Sequence, residues 1–301
     1  MKELYLKYAY HIDSLREEAG IKVPDFCEEV CEPRTYRYYI SGQRVMSQKA
    51  LNGFCKKLGF TPAEFYSSYN QFDKEEYQIV ARLYYAIRKS NFLKARKIFI
   101  LLENRNFTNV LAESIYEYCI IEYNYRNEVI TKDSAYDRFR TLINYPKCLD
   151  KKSFTIQETL TIQSIATIEY SIKEYTALNF LERYLTDPSY SFVSSDPKDI
   201  LPNIYATVAF YFGMDENYQK CQIISKRGIE ICEGYNTLYE LDKLYYYYLY
   251  SCFKLNNDEY KKYIPKYLAA IIIKHDKEYL KSKLEMLRRD GIDNPEQYFS
   301  V

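Results

Sequence analysis

The chain has 301 residues, room for about two domains of ordinary size. Forty-two Lys and Arg stand against 41 Asp and Glu, a net +1, which excludes a histone-like basic protein and an acidic disordered one. Hydrophobic residues make up 47%, enough for a sizeable core, while eight Gly and nine Pro are too few for the many tight hairpins of an all-β protein, so helices joined by short loops are expected. The first seventy residues read as five short helices. Leu4, Tyr8, Ile12, Leu15 and Ala19 recur at helical spacing, and Gly20 is a natural stop. Pro24 and Pro33 open the second and third pieces, where a first helical turn does not need the missing N–H. Ser47 is the expected N-cap of a fourth helix that Gly59 ends. Thr61-Pro62-Ala63-Glu64 has the form of a capping box opening a short fifth helix.

The near-zero net charge averages over opposed regions. Residues 1–32 hold four Lys/Arg and eight Asp/Glu, a net −4. Residues 33–63 hold Arg34, Arg37, Arg44, Lys49, Lys56 and Lys57 and no acid, a net +6. Bases interleaved with Tyr in one short segment suit contacts to phosphate, which dominate DNA affinity.

Five short helices with Arg34-Thr35-Tyr36-Arg37-Tyr38-Tyr39-Ile40-Ser41-Gly42 as the third resemble a helix-turn-helix domain of the Cro/repressor (XRE) type. The closing stretch Leu58-Gly59-Phe60-Thr61-Pro62-Ala63-Glu64-Phe65 is similar to that family's ending. The chain departs from the pattern at Cys31, in place of the usual turn glycine, at Glu32-Pro33, and at Ile40, where an acid is common. In such domains the start of the recognition helix meets base edges in the major groove. The resemblance therefore implies DNA contacts at Arg34, Thr35, Tyr36, Arg37 and Tyr38, with Arg44 and Lys49 on phosphate. Tyr36 and Tyr39 have an alternative place, packed inward.

Gln71-Phe72-Asp73-Lys74 reads as a join. Beyond it, apolar segments of helix length come in pairs: 75–90 with 92–104, 108–126 with 131–145, 155–171 with 173–187, 199–213 with 215–233, and 236–255 with 257–274, then a last helix over 276–290. Pair starts lie roughly 33–48 residues apart, the period of stacked helical hairpins. Tyr205–Gly213, Tyr218-Gln219-Lys220-Cys221 and Gly228-Ile229 resemble a degenerate tetratricopeptide (TPR) repeat, with small residues at 206, 209, 221 and 228 for close packing. The Pro, Ser and Asp content of 186–202 reads as a loop. Four consecutive Tyr at 245–248 must face all round their helix, which suits burial between neighbours.

Catalysis has little support. His11 and His275 lie near opposite ends, no Gly-rich phosphate loop occurs, and the eight Cys form no Cys-x-x-Cys pair, so buried thiols are expected and neither metal nor cofactor. No apolar run is long enough to span a membrane and the start lacks a signal-peptide core, so a cytoplasmic protein is expected. The 36 Tyr and absent Trp read as compositional bias, in a residue that packs a ring while its hydroxyl reaches water.

A repressor-like domain followed by TPR-like hairpins resembles the RRNPP (Rgg/PlcR/PrgX-like) family of peptide-pheromone-responsive regulators. The implied fold is all-α: a five-helix domain over 1–69 and a right-handed TPR-like α-solenoid over 70–301 that senses peptide and dimerises. The implied partners are a double-stranded DNA operator with two half-sites, a short signalling peptide in the concave groove, and a second copy of the chain. First helices of the hairpins should line that groove, which makes Arg82, Tyr85, Asn124, Asn203 and Phe210 the candidate peptide contacts. A TPR-like interaction module or peptide-sensing scaffold without DNA binding is the alternative.

Overall fold

The computed structural model describes residues 2–103, 105–193, 200–274 and 277–298. His275 and the 194–199 part of the Pro/Ser/Asp-rich stretch lie outside the described residues. Two compact units divide the chain, residues 1–131 and 132–301. The first holds α1 (Lys2–Glu18), α2 (Val23–Cys27), α3 (Pro33–Ile40), α4 (Gln48–Lys57), α5 (Pro62–Arg88), α6 (Phe92–Leu102) and α7 (Val110–Arg126). The second holds α8 (Lys132–Ile143), α9 (Ile156–Ser171), α10 (Thr176–Thr186), α11 (Leu201–Met214), α12 (Tyr218–Gly234), α13 (Leu241–Lys254), α14 (Tyr260–Lys274) and α15 (Lys277–Arg289). Among the described residues the fold is all-α apart from one parallel strand pair, β1 (Ser153–Thr155) and β2 (Ser191–Val193), registered Phe154 to Phe192. Residues 191–193 of the expected 186–202 loop are thus paired in a ladder that no alternation announced.

Local chemistry sets the helix starts. Ser47 Oγ accepts from the Ala50 N–H at 3.2 Å. Thr61 and Glu64 close the capping box in both directions, at 2.7 and 3.2 Å. Asn91, Asn109 and Asn217 each cap a helix by accepting the N–H three residues on, at 3.1, 2.8 and 3.2 Å. Gly20, Gly42 and Gly59 take positive φ at the ends expected of them. The left-handed residue of the α2–α3 turn is Glu29, at φ 62, so Cys31 has no glycine role to fill.

One helix breaks the expected division. The fifth helix is not short: α5 runs 27 residues through the presumed join and into the first hairpin. Its first half belongs to the N-terminal core. Phe65 is fully buried there, and Tyr8 meets Phe65, Tyr66 and Tyr69 edge-on. Its second half buries Val80, Leu83 and Ile87 and carries both α6 and α7. Between the halves, the fully buried Glu76 carboxylate accepts the N–H groups of Thr108 and Asn109 at 2.9 and 2.8 Å, the Thr108 hydroxyl, and Arg105 Nε at 3.3 Å. Those groups lie just before α7, where a negative charge is favourable.

In the second unit, successive helices pack on one another, and the first helices of neighbouring hairpins, α9, α11 and α13, also meet. That is the contact pattern of stacked hairpins. Gly228 on α12 is the closest point: a Cβ there meets Tyr205 Cβ at 2.8 Å and Leu244 Cδ2 at 2.7 Å. Glu169 plays the part of Glu76, accepting the Ala177 N–H of α10 at 2.8 Å and the Tyr145 hydroxyl at 2.6 Å. Of the Tyr run, Tyr245 and Tyr248 are buried and Tyr246 and Tyr247 half-buried. Seven of the eight free Cys are buried and Cys31 is half-buried. Burial pushes the Cys55 and Cys148 thiols up to about 11, which makes them packing groups instead of nucleophiles.

Two outcomes follow from this packing. Gly228→Ala is expected to lower unfolding free energy by about 1–3 kcal/mol, because Tyr205 Cβ sits too near its backbone to yield. Gly234→Ala, with open space around it, serves as the control, and equal thermal shifts in the two variants would refute the close-packing account. His11 is buried against Phe65 and Tyr69, with Nε2 3.1 Å from Ser68 Oγ, and burial holds its pKa down at about 4. The unfolded chain protonates it near 6.5. The unfolded state therefore binds more protons between those values, and stability falls as pH drops from about 6.5 to about 4, by up to about 3 kcal/mol. Urea unfolding across that window should show the loss, and His11→Gln should flatten it.

Candidate nucleic-acid interface and ligand-contact residues

Helix α3 is amphipathic in a way its sequence dictates. Arg34, Arg37, Tyr38 and Ser41 recur at i, i+3, i+4 and i+7 and share one face. Arg34, Arg37 and Ser41 are exposed there, and Thr35 and Tyr38 half-buried. Tyr36 and Tyr39 point the other way, into the core. Tyr36 is only 2% exposed, and its ring meets Phe26 at 5.7 Å and Phe54 at 5.2 Å. Its hydroxyl donates to Asp13 Oδ1 at 2.7 Å, and the same carboxylate pairs with Arg16 at 2.7 Å. Burial and Asp13 push the Tyr36 phenol far above its ordinary range, so it stays a neutral donor. Tyr36 therefore leaves the set of accessible candidates. It fastens α3 to α1, and the inward alternative is the one the structure adopts.

On the outer face, Arg34 Nε donates to the Tyr38 hydroxyl at 2.7 Å, with the guanidinium carbon 5.5 Å from the ring centroid. Arg44 and Lys49, on the loop and at the start of α4, are exposed. The Arg44 N–H donates to the Tyr38 carbonyl at 3.0 Å, which folds the loop back on α3 and ties the position of Arg44 to the helix. Arg34, Arg37, Arg44 and Lys49 thus lie on one short stretch with no acid in it.

The five candidate peptide contacts fall in both units. Arg82, Tyr85 and Asn124 belong to the first unit, Asn203 and Phe210 to the second. Arg82 is exposed, its Nε donating to the Gln78 carbonyl at 3.3 Å, and Tyr85 is half-buried against Tyr84. Asn124 lines a cavity of about 380 Å3 between α6 and α7. Asn203 is buried, and its amide donates to Gln163 Oε1 at 2.9 Å across α9 and α11. It is a link between helices with no edge turned to a ligand, a correction to its expected place. Phe210 is 40% exposed and sits 5.2 Å from Tyr211 and 6.2 Å from Tyr247. Sequence reasoning passed over Tyr211 and Tyr247, and also Arg96, Phe99, Tyr116 and Tyr123 of the α6–α7 cavity. The first-helix rule pointed away from α6, and in the sequence nothing set these rings apart from core residues.

Comparison with solved structures decides the fold. PlcR from Bacillus thuringiensis in its apo form superposes with a TM-score of 0.60 at 15% identity, over 91% of this chain and 98% of that one. PlcR in complex with the peptide PapR7 and DNA gives 0.55 at 15% identity, over 93% and 98%. ComR from S. thermophilus in complex with DNA and its signalling peptide ComS gives 0.55 at 15%, over 94% and 99%. The chain has the fold of PlcR and ComR. No protein-family model and no curated protein matches it by sequence. Likeness to PlcR and ComR therefore rests on the arrangement of helices and spans nearly the whole of each chain. Among the described residues no helix is long and apolar enough to cross a membrane.

The opposite faces of α3 should respond differently to loss of a hydroxyl. Tyr36→Phe removes a buried donor to Asp13, leaving Arg16 as its partner, and is expected to cost about 1–2 kcal/mol in chemical denaturation. Tyr38→Phe should stay within about 0.5 kcal/mol. A comparable loss in both would refute the assignment of Tyr36 to the core and Tyr38 to the free face.

Proposed function

We propose that the chain is a transcriptional regulator that binds a double-stranded DNA operator and whose affinity for it is set by a short signalling peptide. The observation that carries the reading is the free face of α3, where Arg34 and Arg37 stand exposed while Tyr36 and Tyr39 are buried behind them. The likeness to PlcR and ComR, each solved with a peptide and DNA, supports it.

In this reading α2 and α3 form the helix-turn-helix. Arg34 or Arg37 reads guanine by two parallel N–H···O/N bonds, and Arg44 and Lys49 meet phosphate. Arg34 must first leave the Tyr38 hydroxyl, a weak neutral acceptor that the edge of guanine replaces. The DNA-binding domain covers 1–69, and the TPR-like peptide-sensing and dimerisation domain covers 70–301, with α5 crossing the border between them. Two copies place two recognition helices on half-sites about one DNA turn, or a multiple of it, apart. The exposed aromatic surface of Phe210 and its neighbours suits the apolar side chains of a peptide. A peptide that prefers one packing of the hairpins shifts their population by its differential affinity, and with it the affinity for DNA. The protein works in the cytoplasm and performs no catalytic step.

Titration of the full chain with labelled chromosomal fragments tests this. Arg34→Ala and Arg37→Ala should each weaken the bound fragment by about 1–3 kcal/mol without altering the circular dichroism. Lys49→Ala should flatten the salt dependence by about one unit of log K against log salt. Unchanged affinity in both arginine variants would overturn the docking of α3, and absence of any salt-sensitive DNA binding would favour an interaction module instead.

A further inference from the structure

The turn before α3 holds two thiols four positions apart. Cys27 ends α2, and Cys31 stands two residues before α3. The backbone brings them together. The Val30 and Cys31 N–H groups both donate to the Cys27 carbonyl at 3.0 Å. Glu28 at φ −52, ψ 134 and Glu29 at φ 62 give the type II turn that closes in this way. With the Cys31 N–H on the Cys27 carbonyl, standard bond lengths hold the two Cα atoms within about 7 Å of each other. Disulfides span about 4.4–6.8 Å between Cα atoms. A side-chain hydrogen bond already links the two thiols.

The two sulfurs are not equivalent. Cys27 is 1% exposed, and burial first, then the Cys31 sulfur, push its thiol up to about 12. Cys31 is half-buried. Burial raises its thiol as well, while the Cys27 hydrogen bond, a backbone hydrogen bond at Tyr36 and the Arg44 charge pull the other way. Cys31 is therefore the sulfur that a reagent reaches and that supplies the attacking thiolate. Both thiols line a cavity of about 580 Å3 that opens to solvent. Asp25, Glu28, Glu29 and Glu32 line it too, all exposed. Lys57 stands 3.9 Å from Glu28 and answers one of the four. The entrance is acidic, and its field turns away anionic reagents.

We propose that Cys27 and Cys31 form a thiol–disulfide exchange site at the entry to α3, and that its oxidant is a small disulfide without negative charge. The Cys31 thiolate attacks one sulfur of that disulfide. A bond forms between Cys31 Sγ and this sulfur, the original S–S bond breaks, and the other half leaves as a thiolate that takes up a proton. Cys27 gives its proton to solvent, attacks Cys31 Sγ and expels the second half in the same way. The protein loses two electrons and two protons, and the small disulfide gains them as two thiols. A covalent bond in place of a contact between sulfurs tightens the turn. Cys27 is packed in the core with Phe26 and Phe54, so Cys31 is the end that moves, and Glu32, Pro33 and Arg34 move with it. Oxidation thereby weakens operator binding, a consequence that rests on the reading of α3 as the recognition helix.

Trypsin cuts after Lys22 and Arg34 and releases residues 23–34, a peptide with Cys27, Cys31 and no other Cys. The full-length protein is incubated with cystamine, hydroxyethyl disulfide or oxidised glutathione, quenched in acid, alkylated with N-ethylmaleimide after denaturation, and digested. The peptide should be unlabelled and lighter by two hydrogens. At low salt its rate of formation should fall at least about tenfold from the cationic to the anionic disulfide, and the rates should converge at high salt. A doubly labelled peptide after prolonged exposure to cystamine, a mixed disulfide that stays on Cys31, or equal rates at low salt would overturn the proposal. Oxidised protein should bind a chromosomal fragment at least about tenfold more weakly than reduced protein, and dithiothreitol should restore the affinity. Cys31→Ser should bind as reduced wild type does and ignore cystamine, and Cys27→Ala should carry a mixed disulfide on Cys31 that lasts until a reductant is added. Unchanged affinity after complete oxidation, or a Cys31→Ser protein that still responds, would overturn the coupling to α3. Absence of DNA binding by the reduced protein would instead refute the regulator reading, and the peptide mass alone would then judge the exchange site.

Discussion

Helix α5 is the constraint on which the first unit depends. At 27 residues it is about 40 Å long. Its N-terminal half closes the core that holds α3, and its C-terminal half is the platform for α6 and α7. The helix runs without a break from Pro62 to Arg88, and no proline follows Pro62 within it. The face that presents Arg34 and the cavity that holds Arg96 are therefore mounted on one continuous piece of secondary structure. Glu76 fixes the middle of that mounting, because among the described residues the partners of its fully buried carboxylate all lie in the segment leading into α7. Removing that segment would leave an uncompensated charge in the interior.

The second unit is organised by a different physical rule. Small residues set how near its helices come, and buried polar groups set their register. Gly228 admits Tyr205 and Leu244 to distances no side chain allows. The Asn203–Gln163 pair and the Glu169 cluster then join α9 to α11 and to α10. Each link is specific because a buried amide or carboxylate without its partner costs more than the bond itself contributes. Exposed aromatics such as Phe210 are what remain outward once these requirements are met.

Much of the fold was legible because its signals are local. The caps at Ser47 and Thr61, the prolines at first turns and the glycines at helix ends act within four residues of themselves. The hairpin pairs follow from apolar spacing alone, and nearly every expected pair has its helices within a few residues of the expected limits. The candidate sites were legible only in part. The exposed arginines of α3 follow from an acid-free run, but burial of Tyr36 depends on Asp13, twenty-three positions earlier. Asn203 was placed on the correct kind of helix with its side chain assigned to the wrong surroundings, since Gln163 lies forty positions away in sequence. The cavity between α6 and α7 left no trace in composition, because its rings look the same as core residues until a third helix, α5, holds both elements apart.

By itself the sequence determined that the chain is helical, that its basic charge is concentrated at 33–63, and that its later part is built from paired helices. These properties come from propensity, capping and charge count, which each residue carries with it. Only the tertiary structure decided which tyrosines face the core, that α5 joins the two parts without interruption, and that Arg96, Phe99 and Tyr123 line one cavity. Those outcomes depend on contacts between residues far apart in the chain, and such contacts are made by packing, which no short stretch of sequence contains.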